Sequence, residues 1–169
     1  MEVTAELYAW LSELKILDNI KSINLRNNKK IFLDEKLSIK FLNGFYMDKI
    51  LFELERCYNN FYNLKLSSSV KLNELRILQE NFFNNETDCD LRISIWGIIQ
   101  EITENFGIEL TDNSIEKIAN GDYNTINQVL STVFSLSTEL MKRNPEKKGK
   151  IIIKMKLNLK NFLKFFGKI

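Results

Sequence analysis

Phe41-Leu-Asn-Gly-Phe-Tyr-Met-Asp-Lys-Ile-Leu51 decides how this chain is read. Its Asn-Gly pair marks a turn, because glycine enters the positive-φ region without steric cost. Met47, Ile50, Leu51, Leu54 and Tyr58 then recur at helical spacing, so a helix starts near Gly44. The same device returns in Ile115-Glu-Lys-Ile-Ala-Asn-Gly-Asp-Tyr-Asn-Thr-Ile126. There, Thr111 and Asp112 cap a short helix that ends at Asn120-Gly121. Residues 122–142 form the next helix, with Ile126, Val129, Leu130, Val133, Leu140 and Met141 in register.

Outward from these two turns the body reads as helix throughout. Thr4 is placed to cap a first helix reaching Ile16, with Leu7, Trp10, Leu11 and Leu14 on one face. Residues 18–37 are rich in Asn and Lys, lack sustained periodicity and are expected to be a loop. Ser67–Ser69 can cap a helix bearing Leu72, Leu75, Leu78 and Phe82. The cleanest stripe is Leu91, Ile95, Ile98, Ile99, Ile102 and Phe106, which predicts a central helix closed by Gly107. No strand pattern is expected within the body.

Composition removes whole classes of chemistry. The 169 residues suit one domain, or one domain with a tail, and 44% hydrophobic with 27% charged is ordinary globular material. There is no His, which excludes Ser-His and Cys-His catalysis and His metal sites. Cys57 and Cys89 fit no zinc spacing and are expected to be reduced structural thiols of a cytoplasmic protein. Met-Glu-Val-Thr-Ala-Glu carries no basic residue, unlike a targeting peptide, and no apolar run nears the roughly 18 residues of a membrane span.

The formal charge of +2 conceals an asymmetry. Residues 1–141 hold 14 Lys/Arg against 21 Asp/Glu, whereas residues 142–169 hold 10 against one. An acidic body, 1–142, and a basic arm, 150–169, are therefore expected, hinged at 143–149 by Pro145 and Gly149. Ile153-Lys-Met-Lys-Leu-Asn-Leu-Lys160 alternates like a strand. Over 151–166, however, eight of ten apolar residues fall in one helical arc of about 160°, so an amphipathic helix is the better reading.

In order and spacing these segments resemble the divergent calponin-homology-like domains of flagellar and ciliary proteins. Leu7-Tyr-Ala-Trp-Leu11 looks like that class's opening helix, with a leucine-rich stretch around Trp. Phe41–Leu51 resembles its F-x-N/D-G-x-x-x-x-x-I/L-L element, and Ser69-Val-Lys-Leu-Asn73 is similar to the A-K-L-N-N stretch of sperm flagellar members. Ile115–Ile126 resembles the I-x-x-I-x-x-G-D turn before the last helix, so the likeness spans about residues 4–142. The resemblance implies an all-α, calponin-homology-like helical bundle, here with a C-terminal basic amphipathic helix added. It implies a non-catalytic cytoskeletal module binding tubulin, microtubules or axonemal proteins of a cilium or flagellum. The basic cluster after the opening helix of the microtubule binders falls on Lys29 and Lys30.

Several residue types have a plain reading beside a functional one. Trp10 shares its helix's apolar face and Trp96 lies beside the central stripe, so both are expected in the core rather than as partner anchors. The Asn-Gly turns lack a preceding strand or a following Gly-Lys-Ser/Thr, so they are turns and not phosphate cradles. Glu53/Glu55 and Asp88/Asp90 stand two apart, point in different directions on a helix, and are expected to be solvated. Asp88-Cys-Asp90 lacks the further ligands of a calcium loop. No cofactor, metal site or catalytic set is expected.

The candidate site is basic. Lys21, Arg26, Lys29, Lys30, Lys36 and Lys40 cluster in or near the first long loop, and Lys147, Lys148, Lys150, Lys154, Lys156, Lys160 and Lys164 populate the arm. A solvated face is the plain reading; electrostatic docking on an acidic polymer is the functional one. A protein–protein adaptor using the arm helix is the alternative, actin a weaker one, and an anionic membrane or calmodulin-like partner the other use of a basic amphipathic helix. Nucleic acid is not an expected partner.

Overall fold

The computed structural model describes residues 1–17, 23–27, 30–83 and 88–143. The arm at 150–169 and the hinge, apart from Arg143, lie outside the described residues. Among the described residues the chain is mostly helical. In order it runs β1 (Glu2–Thr4), α1 (Ala5–Glu13), β2 (Ile23–Asn27), β3 (Lys30–Leu33), α2 (Glu35–Leu42) and α3 (Met47–Tyr62). It continues through α4 (Ser69–Glu80) with a 3-10 turn at Asn81–Phe83, then α5 (Cys89–Glu104), α6 (Asp112–Ala119) and α7 (Tyr123–Arg143).

The caps follow from local chemistry. The side chains of Thr4, Asp34, Asp88 and Thr111 each accept the backbone N–H three residues on, at 3.2, 2.7, 3.0 and 3.2 Å. Each satisfies a donor that the first helical turn leaves without a partner. Ser68 departs from the expected pattern. It stands at the N-cap of α4 but makes no side-chain cap bond, and its N–H donates to Glu55 Oε2 at 2.8 Å.

Two corrections concern the region read as a loop. Ile23–Asn27 and Lys30–Leu33 are antiparallel strands with an irregularity between Leu25 and Asn27, and Val3 pairs with Ile31 to complete a three-stranded sheet ordered β1-β3-β2. Directly after it, Asp34 caps the two-turn helix α2. The strands are short and interleaved with Asn and Lys, so their alternation is diluted. Ile31 and Leu33 nevertheless point inward and are buried, which fixes the register of β3.

The core collects one face of every helix. α3 packs along α7, and α5 packs against α3, α4 and α6. Ile95, Trp96, Ile99, Ile102 and Thr103 of α5 are at most 1% exposed, so the stripe read as central is central. Trp10 is buried on α1 and meets Phe134 of α7 with ring centroids 5.4 Å apart. Removing such aromatic area from water is the largest single contribution these side chains make to stability.

Candidate partner-binding surface

Of the lysines singled out in the sequence, Lys30, Lys36 and Lys40 lie among the described residues; Lys29, Lys147, Lys148, Lys150, Lys154, Lys156, Lys160 and Lys164 lie outside them. Lys21 is likewise outside, and for Arg26 the backbone alone is described, in β2. Lys30 sits in β3 and pairs with Glu2 of β1 at 2.7 Å. That pair bridges the central strand and its β1 neighbour, so Lys30 is partly neutralised. Lys36 and Lys40 stand four apart on α2, which places both on one side of the helix. Both are exposed, and neither has an ion-pair partner among the described residues. Among the described residues, the structure thus brings together Lys36 and Lys40 as positive charges without an ion-pair partner.

Their support is tied to the core by hydrogen bonds. α2 ends at Asn43-Gly44, and this turn is gripped from three directions. Trp96 donates its indole N–H to the Leu42 carbonyl at 2.8 Å, Gln79 donates to the Gly44 carbonyl at 2.6 Å, and Arg92 Nε donates to Asn43 Oδ1 at 2.6 Å. Arg92 also reaches the Ala119 carbonyl through Nη1 at 3.2 Å, at the end of α6. One guanidinium therefore ties the two Asn-Gly turns together across α5. Gly44 has φ +73° and Gly121 has φ +94°, as turns that reset helix direction require.

The carboxylates do not converge. Glu53 is held by both Arg56 Nε, at 2.8 Å, and Arg56 Nη2. Glu55 corrects the expectation of a solvated surface. It is only 8% exposed, and its Oε2 takes the Ser68 N–H ahead of α4. Asp88 caps α5 and Asp90 is exposed. No group of three or more His, Cys, Asp or Glu among the described residues is placed to hold a metal ion. A shallow depression of about 510 Å³ on the outer side of α7 is lined by Ser131, Thr132, Ser135, Leu136 and Glu139. Cys57 is buried and Cys89 exposed, with no disulfide between them.

Arg92, Gln79 and Glu55 are the residues that sequence reasoning missed. Each is a polar side chain on a helix whose apolar stripe draws the eye. Arg92 had one available signal: it lies four residues before Trp96 and so on the same side of α5.

None of the described helices is long and apolar enough to cross a membrane. No protein-family model matches this chain, and no curated protein or solved structure is detectably similar to it.

Proposed function

We propose that the chain is a divergent calponin-homology-like module that docks, without catalysis, on microtubules or other axonemal proteins. The observation that carries this reading is the pairing of its two signature turns. Phe41–Leu51 spans the joint of α2 and α3, Ile115–Ile126 spans the joint of α6 and α7, and Arg92 holds the two joints together. That two of the four segments resembling the family meet at one guanidinium supports reading them together. The helical body presents Lys36 and Lys40, and the sequence adds Lys29 and the arm lysines Lys147, Lys148, Lys150, Lys154, Lys156, Lys160 and Lys164.

The mechanism is electrostatic. Positive side chains meet the acidic surface of tubulin, opposite fields raise the encounter rate, and salt screens both. An exposed charge pair contributes about 0–1 kcal/mol, so useful affinity comes from several pairs acting on a repeating lattice. In cosedimentation with microtubules, the expected result is binding at low ionic strength that falls as salt rises, and that falls several-fold further in Lys36→Glu/Lys40→Glu. Absence of binding at low salt, or binding indifferent to salt and to these substitutions, refutes the reading.

The alternative is an adaptor whose C-terminal arm helix packs in a partner groove. That reading expects salt-insensitive binding to one defined protein, lost in Phe162→Asp or Phe166→Asp.

A further inference from the structure

The chain contains two Asn-Gly sequences, at 43–44 and 120–121. Asn-Gly is the dipeptide most prone to spontaneous loss of side-chain ammonia, because glycine leaves its own amide nitrogen sterically free to attack. The structure gives the two copies opposite surroundings. Asn43 is 3% exposed, and Arg92 Nε holds its side-chain oxygen at 2.6 Å. Gly44 is pressed against α5 so closely that an added Cβ would stand 2.6 Å from Ile95 Cγ2. Asn120 is exposed, and an added Cβ on Gly121 would meet nothing within 4 Å.

We infer that Asn120-Gly121 is a self-modification site, converting in the folded protein to aspartate and isoaspartate, while Asn43-Gly44 is locked against the same reaction. The Gly121 amide nitrogen gives up its proton to base and attacks Cγ of Asn120. A nitrogen–carbon bond forms, the bond from Cγ to Nδ2 breaks, and ammonia departs with a proton. Water then opens the cyclic imide at either carbonyl, giving aspartate or the β-linked isomer. No oxidant or further reagent enters.

Two native contacts must open first. Asn120 Nδ2 donates to the Glu116 carbonyl at 2.9 Å, and the Gly121 N–H donates to the Ile118 carbonyl at 2.9 Å. Both belong to the last turn of an eight-residue helix, where Arg92 holds the Ala119 carbonyl but the Asn120 side chain itself stands exposed. At Asn43 the corresponding opening must break the Arg92 contact and push the Gly44 nitrogen into a filled core. A charge-assisted hydrogen bond alone accounts for a difference of roughly tenfold in rate.

The product acts on the structure. A carboxylate at residue 120 stands at the negative end of α6, where the helix dipole disfavours it. The β-linked isomer lengthens the backbone within the turn that donates from Gly121 to Ile118 and from Asp122 to Lys117. The joint between α6 and α7 is therefore loosened with age, independently of what the module binds.

The test is mass spectrometry of the folded protein after incubation in mildly alkaline buffer, followed by trypsin. Peptide 118–142 is expected to gain the mass that marks exchange of an amide for an acid, as a resolved pair of isomers, at least roughly tenfold faster than peptide 41–49. In urea, where the contacts are gone, the two peptides converge. Asn120→Gln abolishes the gain. Equal rates in the folded protein, no gain in 118–142 while the urea sample converts, or a gain that persists in Asn120→Gln, each overturn the inference.

Discussion

A methyl group added to Gly44 would sit 2.6 Å from Ile95 Cγ2, and the residue's φ is +73°. Ile95 is fully buried, so it has nowhere to retreat. Overpacking and left-handed strain then act together, and Gly44→Ala is expected to destabilise by about 2–4 kcal/mol. Gly97 provides the contrast. It lies inside α5, an added Cβ meets nothing within 4 Å, and Gly97→Ala is expected to stabilise by about 0.5–1 kcal/mol through lower unfolded-state entropy. Urea unfolding midpoints of the two variants, moving in opposite directions, check both. At this scale the sequence was legible where a residue's neighbours are its own helix. Helical spacing alone assigns Trp10 and Trp96 to the core. It does not assign Glu55, because the Ser68 N–H that holds it lies thirteen residues away in sequence.

Helix ends carried the clearest local signals. Thr4 and Thr111 cap as their identity suggests, and the stripe from Leu91 to Ile102 lies on α5, which ends at Glu104, before Phe106. The sheet carried weak ones. β1 has three residues and β3 four, too short for period two to stand out, and their pairing joins segments about thirty residues apart in sequence, beyond any local pattern. α7 offers a pH test. Asp122 precedes it, accepting the Thr125 hydroxyl at 2.6 Å and the Asn124 N–H at 3.0 Å. The Thr125 hydrogen bond chiefly, with the backbone N–H groups and the charge of Lys117, holds its carboxyl below the usual carboxylate value. The folded state therefore favours the ionised form. Its contribution is fully present above the ordinary carboxylate range and is lost as pH falls through the lower, folded value. Asp122→Asn is expected to lower stability at neutral pH and to flatten the acid side of the stability–pH curve. Thermal unfolding from pH 7 down to pH 3, compared with the parent chain, checks it.

As a whole the molecule divides its labour between a framework and its surface charges. The helical framework was readable because each stripe repeats within one element. How the elements meet was not, since Gln79, Arg92 and Trp96 act across 35 to 54 residues. Lys36 and Lys40 belong to α2, an element whose two turns are too short for the sequence to disclose, although their charge is plain in it. The sheet order has a kinetic corollary. β3 lies between its hairpin neighbour β2 and the more distant β1. The β2–β3 hairpin can zip in about 1–10 μs, whereas β1 must await closure of a much longer loop. Docking of Val3 beside Ile31 is therefore expected to follow the rate-limiting barrier. Val3→Ala should speed unfolding in a denaturant chevron while leaving the refolding arm nearly unchanged, and a slowed refolding arm would place β1 in the nucleus instead. Such a strand works as a latch: it governs how long the native state survives, and has little say in how quickly it is reached.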